Sequence, residues 1–262
     1  MDKLNSNNIK TLLGDSIFSD HIIIYDSLES TNNTGKELYE QGAESGTVIL
    51  SEKQTGGRGR MNRQWLSPAY KNLLFSILLK PDIKVENIYS LTLALAAAVI
   101  DAVQNITGLS AMIKWPNDIY LNKKKLAGIL TEFKVRGKSS AYIILGMGIN
   151  VNWNPEKEKN ILFPSTSIFN ETGQITSRNL LVSETLKIFE IFYNDIINGR
   201  MAQLNSRINR LSLLSGREVS VDTGDETISG KVLGIDTGGG LILKEPDGNV
   251  KIVLNGDVTI RF

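Results

Sequence analysis

The chain contains no cysteine and a single histidine in 262 residues. The first absence removes disulfides, thiolate nucleophiles and cysteine-ligated metals, and it fits a reducing compartment. The second leaves Ser-His-Asp chemistry one base, His21. That residue stands directly before the apolar run IIIY, where a structural or strand-edge role is expected. Charge of one sign is also scarce. Lys and Arg number 29 against 28 Asp and Glu, a net charge of +1, so no protein-wide field draws in nucleic acid or an anionic membrane. Long apolar runs are missing too. LTLALAAAVI, Leu91 to Ile100, falls far short of the ~20 residues of a membrane span, and the opening MDKLNSNNIK has no signal-peptide core. A cytoplasmic protein without membrane contact is expected. At 41% hydrophobic and 22% charged residues, the composition is that of a globular chain with room for a main core and a small satellite unit.

Residues 1–20 read as a lead-in helix with an apolar patch at Ile9, Leu13 and Ile17. HIIIYDSLES then predicts a strand, and STNNTGKELYEQG a helix with Ser30, Thr31 and Asn32 available as caps and Gly42 as the stop. GTVILSEK and NLLFSILLK predict two more strands, the second apolar enough to be buried on both faces. Val85 to Ile106 predicts a deeply packed helix ending at Gly108. AMIKW, KLAGILTEF and SAYIILGMGIN predict strands, Asn154 to Thr176 a loop, and Ser177–Ile197 and Met201–Leu211 two helices. Strands and helices mix without a βαβ rhythm, which predicts an α+β unit with a mixed or mainly antiparallel sheet. After Gly216 the texture changes to short strands separated by DTGDE, DTGGG, EPDGN and NGD turns. This is a β unit of about 46 residues, SH3-like in pattern, too small to be stable without docking on the larger part. The expected divisions are therefore 1–20, 21–215 and 216–262.

The stretch QTGGRGRMNRQW, residues 54–65, concentrates Arg58, Arg60 and Arg63 among glycines, and no Asp or Glu occurs between Lys53 and Asp82. Glycines let backbone N–H groups approach a ligand, while arginine forks match phosphate and carboxylate. The run alone specifies an anion and no more. A solvated basic loop and a nucleic-acid segment of the GRGR kind are its competitors, and neither a P-loop nor a G-x-G-x-x-G pattern is present in it. Further on, IKWPNDIYLNKKKLAGIL places Lys114 between Ile113 and Trp115, where a lysine needs an anionic partner. GMGIN, Gly146 to Asn150, ends a strand with two glycines and an amide, which suits either a bulge or the close approach of a flat ligand.

Taken in order, STNN, QTGGRGRMNRQW, IKWPNDIYLNKKKLAGILTE and GMGINVN, with the C-terminal β unit, resemble the biotin protein ligase family from His21 to Phe262. The resemblance implies a monofunctional member: a core related to the class II aminoacyl-tRNA synthetases followed by an SH3-like barrel. It implies an enzyme that makes biotinyl-5′-AMP from biotin and ATP with Mg²⁺, then passes biotin to a lysine of a biotin carboxyl carrier domain. Ser30, Thr31, Asn32, Gln54, Arg58, Gly59, Arg60, Lys114 and Gly128 would contact biotin. Arg60, Arg63, Trp65, Asn117, Lys125, Gly148 and Asn150 would contact the nucleotide, with Glu132 a secondary contact. Lys114, Arg60 and Arg63 would do the catalytic work of neutralising charge as a carboxylate meets a phosphate. No metal ligand is assigned, and no base for the transfer step is named.

Two departures from the family pattern stand out. Met61 and Asn62 occupy positions where the family commonly has Arg-Gly, and about 20 residues precede the first strand, where bifunctional members carry a helix-turn-helix domain. DNA binding is therefore not expected. Monomer and homodimer both stay open. The alternatives are a lipoate ligase or octanoyltransferase relative, and, in another class, a nucleic-acid-binding module using the basic loop.

Overall fold

A computed structural model describes residues 3–158, 161 and 163–260. The last two residues of the expected 216–262 unit, and three within the expected 154–176 loop, lie outside the described residues. The lead-in forms helix α1, Ser6–Leu13, capped by the Asn5 side chain. Ile9 and Leu13 enter the core, while Ile17 lies beyond the helix and is exposed. His21 closes a 3-10 turn before strand β1, Ile22–Tyr25. Helix α2, Thr31–Glu40, follows, then β2, Thr47–Ser51, and β3, Leu73–Leu79. Every residue of β3 is buried, as its continuous apolarity predicts.

Helix α3, Ile88–Thr107, stops at Gly108, whose φ of 74° is the left-handed geometry glycine adopts freely. Among the described residues it is the one helix long and apolar enough to cross a bilayer, and its side chains are mostly buried within the protein. Strands β4 (Met112–Lys114), β5 (Asp118–Leu121), β6 (Lys124–Arg136) and β7 (Ser139–Ile149) complete the main sheet. β5 was not expected. Its four residues alternate in burial behind the Trp-Pro-Asn turn, too short a run to outweigh the turn signals before it. The expected loop of 154–176 likewise contains a short helix, α4, Ile168–Thr172, capped by Ser167 and closed by Gly173. Helices α5, Arg178–Ile197, and α6, Met201–Leu211, match their expected bounds to within a residue.

The main sheet runs β1-β2-β3-β7-β6-β5-β4. Only β1 and β2 are parallel, so the sheet is mixed. One face packs on α3 and α1, with α5 lying against these two helices, and α2 covers part of the other face, leaving a cleft beside it. The C-terminal strands β8 (Glu218–Asp222), β9 (Thr227–Ile235), β10 (Leu241–Lys244), β11 (Val250–Val253) and β12 (Asp257–Ile260) form an antiparallel sheet in the order β11-β10-β9-β8-β12. It is fastened to the rest by Trp115 Nε1 donating to Gly239 O at 2.9 Å and Ile235 N donating to Asn209 Oδ1 at 2.8 Å. One apolar cluster runs through both parts.

A charge pair lies inside this core. Arg178 Nη1 meets Glu52 Oε2 at 2.6 Å, both side chains 0% exposed, and Leu4 N donates to the other Glu52 oxygen at 2.8 Å. Replacing one partner strands a buried charge, at a cost of about 3–5 kcal/mol. Arg178→Met is accordingly expected to lower unfolding stability by that amount in urea titrations, while Arg136→Met at the exposed end of β6 leaves it within ~0.5 kcal/mol; equal effects would refute the assignment.

Candidate functional site

The cleft has a floor without side chains. Gly128 on β6 is paired with Gly148 on β7, and Gly146 follows two residues earlier on the same face. Each glycine makes room for a specific group. A Cβ on Gly146 would sit 2.0 Å from Asn32 Oδ1, and one on Gly148 would sit 2.5 Å from the Trp65 indole. The flat group lying on Gly148 is thus the chain's own Trp65, whose Nε1 is buried without a hydrogen-bond partner among the described residues.

Over β3 and β7 the cleft ends in hydroxyls and amides. Gln54 Oε1 accepts from Thr31 N at 2.7 Å and from Thr31 Oγ1 at 3.1 Å. Ser76 Oγ lies 2.7 Å from both Thr31 Oγ1 and Asn32 Oδ1. Ser76 has one proton for two neighbours. The amide oxygen cannot donate, so it takes that proton, and the Thr31 hydroxyl turns between Ser76 and Gln54. Asn32 Nδ2 donates to Glu132 Oε2 at 2.7 Å, and Lys36 pairs with the other Glu132 oxygen at 2.5 Å. Ser30 begins α2 without a side-chain capping bond, although the sequence offers it as a cap.

Over β4 and β5 the cleft is cationic. Lys114 Nζ lies 5.2 Å from the Tyr120 ring centroid and makes no ion pair among the described residues. Burial lowers its pKa, partly offset by Asp118. Burial also pushes the Tyr120 hydroxyl up to about 12. Lys125 pairs with Asp118 at 2.6 Å and reaches over the Trp65 ring. It is turned into the cleft, not out with the hairpin tip formed at Asn122 and Lys123 (φ 49° and 65°).

The arginine loop closes the cleft from above. Arg58 Nη2 donates to Asn33 Oδ1 at 2.6 Å. Arg60 Nη1 donates to Asn117 Oδ1 at 3.3 Å and to Gly256 O at 3.1 Å, and its Nη2 donates to Asn255 Oδ1 at 2.6 Å. Arg63 pairs with Asp257 at 2.6 Å and stacks over Phe163. Burial lowers the Arg60 pKa against the pull of Asp257. Met61 holds the left-handed region (φ 54°, ψ 34°), which costs a non-glycine residue roughly 1–2 kcal/mol.

Ser30, Thr31, Asn32, Gln54, Arg58, Gly59, Arg60, Arg63, Trp65, Lys114, Asn117, Lys125, Gly128, Gly148 and Asn150 all line this one cleft of about 530 Å³. Glu132 stands behind it, against Asn32. The Asn150 amide turns inward: its Nδ2 donates to Thr166 O, and its Oδ1 accepts from Asn72 Nδ2 and Trp153 Nε1. Ser76, Asp118, Asn255 and Asp257 were missed. Ser76 had a signal, a lone hydroxyl in the middle of LLFSILL; the C-terminal pair had none nearby. His21 is not among the lining residues.

Comparison with known proteins finds two family models. Residues 24–150 match the biotin/lipoate A/B protein ligase family, and residues 214–261 match the biotin protein ligase C-terminal domain. The bifunctional ligase/repressor BirA of Bacillus subtilis is 34% identical over 98% of this chain and 79% of its own length. The biotin–[acetyl-CoA-carboxylase] ligase of Mycobacterium tuberculosis is 31% identical over 89% and 87%. The structure of biotin protein ligase from Aquifex aeolicus in complex with biotin and ATP superposes with a TM-score of 0.79 at 31% identity, covering 92% of this chain and 99% of that one.

Because any side chain at Gly148 collides with Trp65, Gly148→Ala is expected to expel the indole while the protein stays folded. The overpacking penalty is about 1–3 kcal/mol. Acrylamide quenching should find one more accessible tryptophan than in the wild type; unchanged quenching would show that Trp65 does not rest on this floor.

Proposed function

The chain belongs to the biotin protein ligase family, and from that premise we propose that it is an ATP-dependent ligase that attaches biotin to a biotin carboxyl carrier domain. The observation that carries the reading is the polarity of a single cleft, with neutral hydroxyls and amides over β3 and β7 and under-neutralised cations over β4 and β5. Biotin has that polarity itself, a neutral ureido ring at one end and a carboxylate at the other. Ser30, Thr31, Asn32 and Gln54 would take the ring, with Ser76 orienting Thr31 and Asn32. Arg58, Gly59 and Gly128 would enclose it. Lys114 and Arg60 would face the carboxylate and the α-phosphate of ATP, with Trp65, Asn117, Lys125 and Gly148 beside the nucleotide.

In the first step the biotin carboxylate oxygen attacks the α-phosphorus, and pyrophosphate leaves. Both reactants are anions, so the protein's part is to bring them together and offset their charge, which needs no protein nucleophile. In the second step the uncharged amine of the acceptor lysine attacks the acyl carbon, AMP leaves, and the amine gives up its proton. Mg²⁺ would arrive chelated to ATP and add charge neutralisation. Among the described residues no cluster of three acidic, histidine or cysteine side chains could hold an ion by itself. Mg²⁺ asks only one or two carboxylates beside substrate phosphates, and the carboxylates that line the cleft are Asp118, paired with Lys125, and Asp257, paired with Arg63.

This reading treats residues 21–215 as the catalytic unit, related to class II aminoacyl-tRNA synthetases, and residues 216–262 as an SH3-like barrel. The mixed sheet and the five antiparallel strands support it. It also takes the protein as cytoplasmic, where carboxylase carrier domains meet ATP and biotin.

Incubation with Mg-ATP and either biotin or lipoate should yield biotinyl-AMP by mass spectrometry, and labelled biotin should reach a carrier domain only when its target lysine is present. Lipoyl-AMP without biotinyl-AMP would overturn the reading. Lys114→Ala and Arg60→Gly are expected to keep the fold and slow pyrophosphate release about 100-fold or more, the scale of removing one donor at a developing anion. Full activity in both would contradict their roles. Since burial lowers the Lys114 pKa, its charge is lost at lower pH than an ordinary lysine's. The first half-reaction should therefore fall on the alkaline side below the usual lysine range, and Lys114→Arg should shift that limb upward. An identical alkaline limb in the two proteins would rule out Lys114 as the titrating cation.

A further inference from the structure

We infer that the Asn255–Gly256–Asp257 turn of the C-terminal unit is a positioning part of the nucleotide site: it holds the Arg60 guanidinium with uncharged acceptors, so that the positive charge stays available to the phosphates of ATP. The inference rests on the reading of the cleft as a biotin and ATP site.

The two arginines at this turn are treated differently. Asp257 Oδ2 lies 2.6 Å from Arg63 Nη2, whereas its other oxygen is 3.7 Å from Arg60 Nη1. Arg63 is thereby neutralised by a carboxylate. Arg60 instead donates to three neutral oxygens: the Asn255 amide, the Gly256 carbonyl and the Asn117 amide. Neutral acceptors fix the orientation of a guanidinium while leaving most of its charge uncompensated, and that uncompensated charge favours a bound anion. The direction of the Arg60 pKa agrees, since burial outweighs the attraction of the nearby acids. The turn is itself rigidly seated. A Cβ on Gly256 would lie 2.5 Å from Val221 Cγ1 and 2.9 Å from Asp222 O, so glycine lets the backbone pack on β8 with its carbonyl turned to the loop.

The side-chain charge at position 255 separates electrostatic positioning from simple packing. Aspartate keeps the size and the acceptor of asparagine but would pair with Arg60 and compete with the phosphates; alanine removes the acceptor. In the full-length protein, calorimetric titration with ATP is expected to show a several-fold loss of affinity for Asn255→Ala. For Asn255→Asp the expected loss is about tenfold, the scale of a charge-assisted hydrogen bond redirected away from the ligand. Biotin affinity measured without ATP should fall clearly less than ATP affinity does, because biotin offers Arg60 one carboxylate where ATP brings several phosphate charges. Raised salt should shrink the aspartate effect, because the site is partly open to solvent. Wild-type ATP affinity in either variant would overturn the inference, as would equal losses for biotin and ATP, which would mean general collapse of the loop. A wild-type protein that binds ATP yet forms no biotinyl-AMP would refute the proposed function alone, and the comparison at position 255 would still be decided by the titrations.

Discussion

A charge pair shut off from water, Arg178 against Glu52, holds the geometry on which the cleft depends. Glu52 follows β2 directly, at the root of the loop that carries the arginines. Its backbone carbonyl accepts from Tyr70 N at 3.1 Å, and Arg178 Nη1 also donates to Asn72 O at 3.1 Å. Both ends of the loop are therefore fastened to one buried knot, which also takes in Leu4 from the N-terminal segment. A buried ion pair is weak as a net source of stability because both ions are desolvated. Its value here is geometric: the long, glycine-rich loop departs and returns at fixed points, so only its middle has to find the ligand and the C-terminal turn.

The cleft then solves an electrostatic problem by separating groups across the sheet. Hydroxyls and amides gather where Ser76 interrupts an otherwise apolar strand, and cations gather where β4 and β5 meet the loop. Between them the three glycines remove side chains from the floor. A ligand with a neutral ring and an anionic tail fits only one way round. The Ser76 hydroxyl contributes at a distance, since it fixes which of its neighbours can still offer a lone pair or a proton.

Much of this was legible in the residues. α5 and α6 had apolar periodicity with clear ends, α3 had Gly108, and β3 was apolar throughout, so local rules sufficed for each. β5 escaped because four residues carry too little pattern against Trp-Pro-Asn, and α4 because five residues do not make a periodic stripe. In the cleft, residues within recognisable motifs were readable, and those tied to the motifs only by folding were not. Asn255 and Asp257 belong to an ordinary strand-joining turn. Nothing local distinguishes them from the turns around Asp236 or Asp247, and only the docking of the C-terminal unit turns them into partners of Arg60 and Arg63.

The hydrogen bond from Arg60 to Asn255 spans 195 residues of sequence. During synthesis the arginine loop leaves the ribosome long before the turn that receives it, while the strands beneath it can already pair. The contact that orients the loop cannot form before the C-terminal unit exists, so a nascent chain carries its basic loop undocked until that unit has folded against it. Assembly order thereby keeps the cleft incomplete until the fold around it is finished.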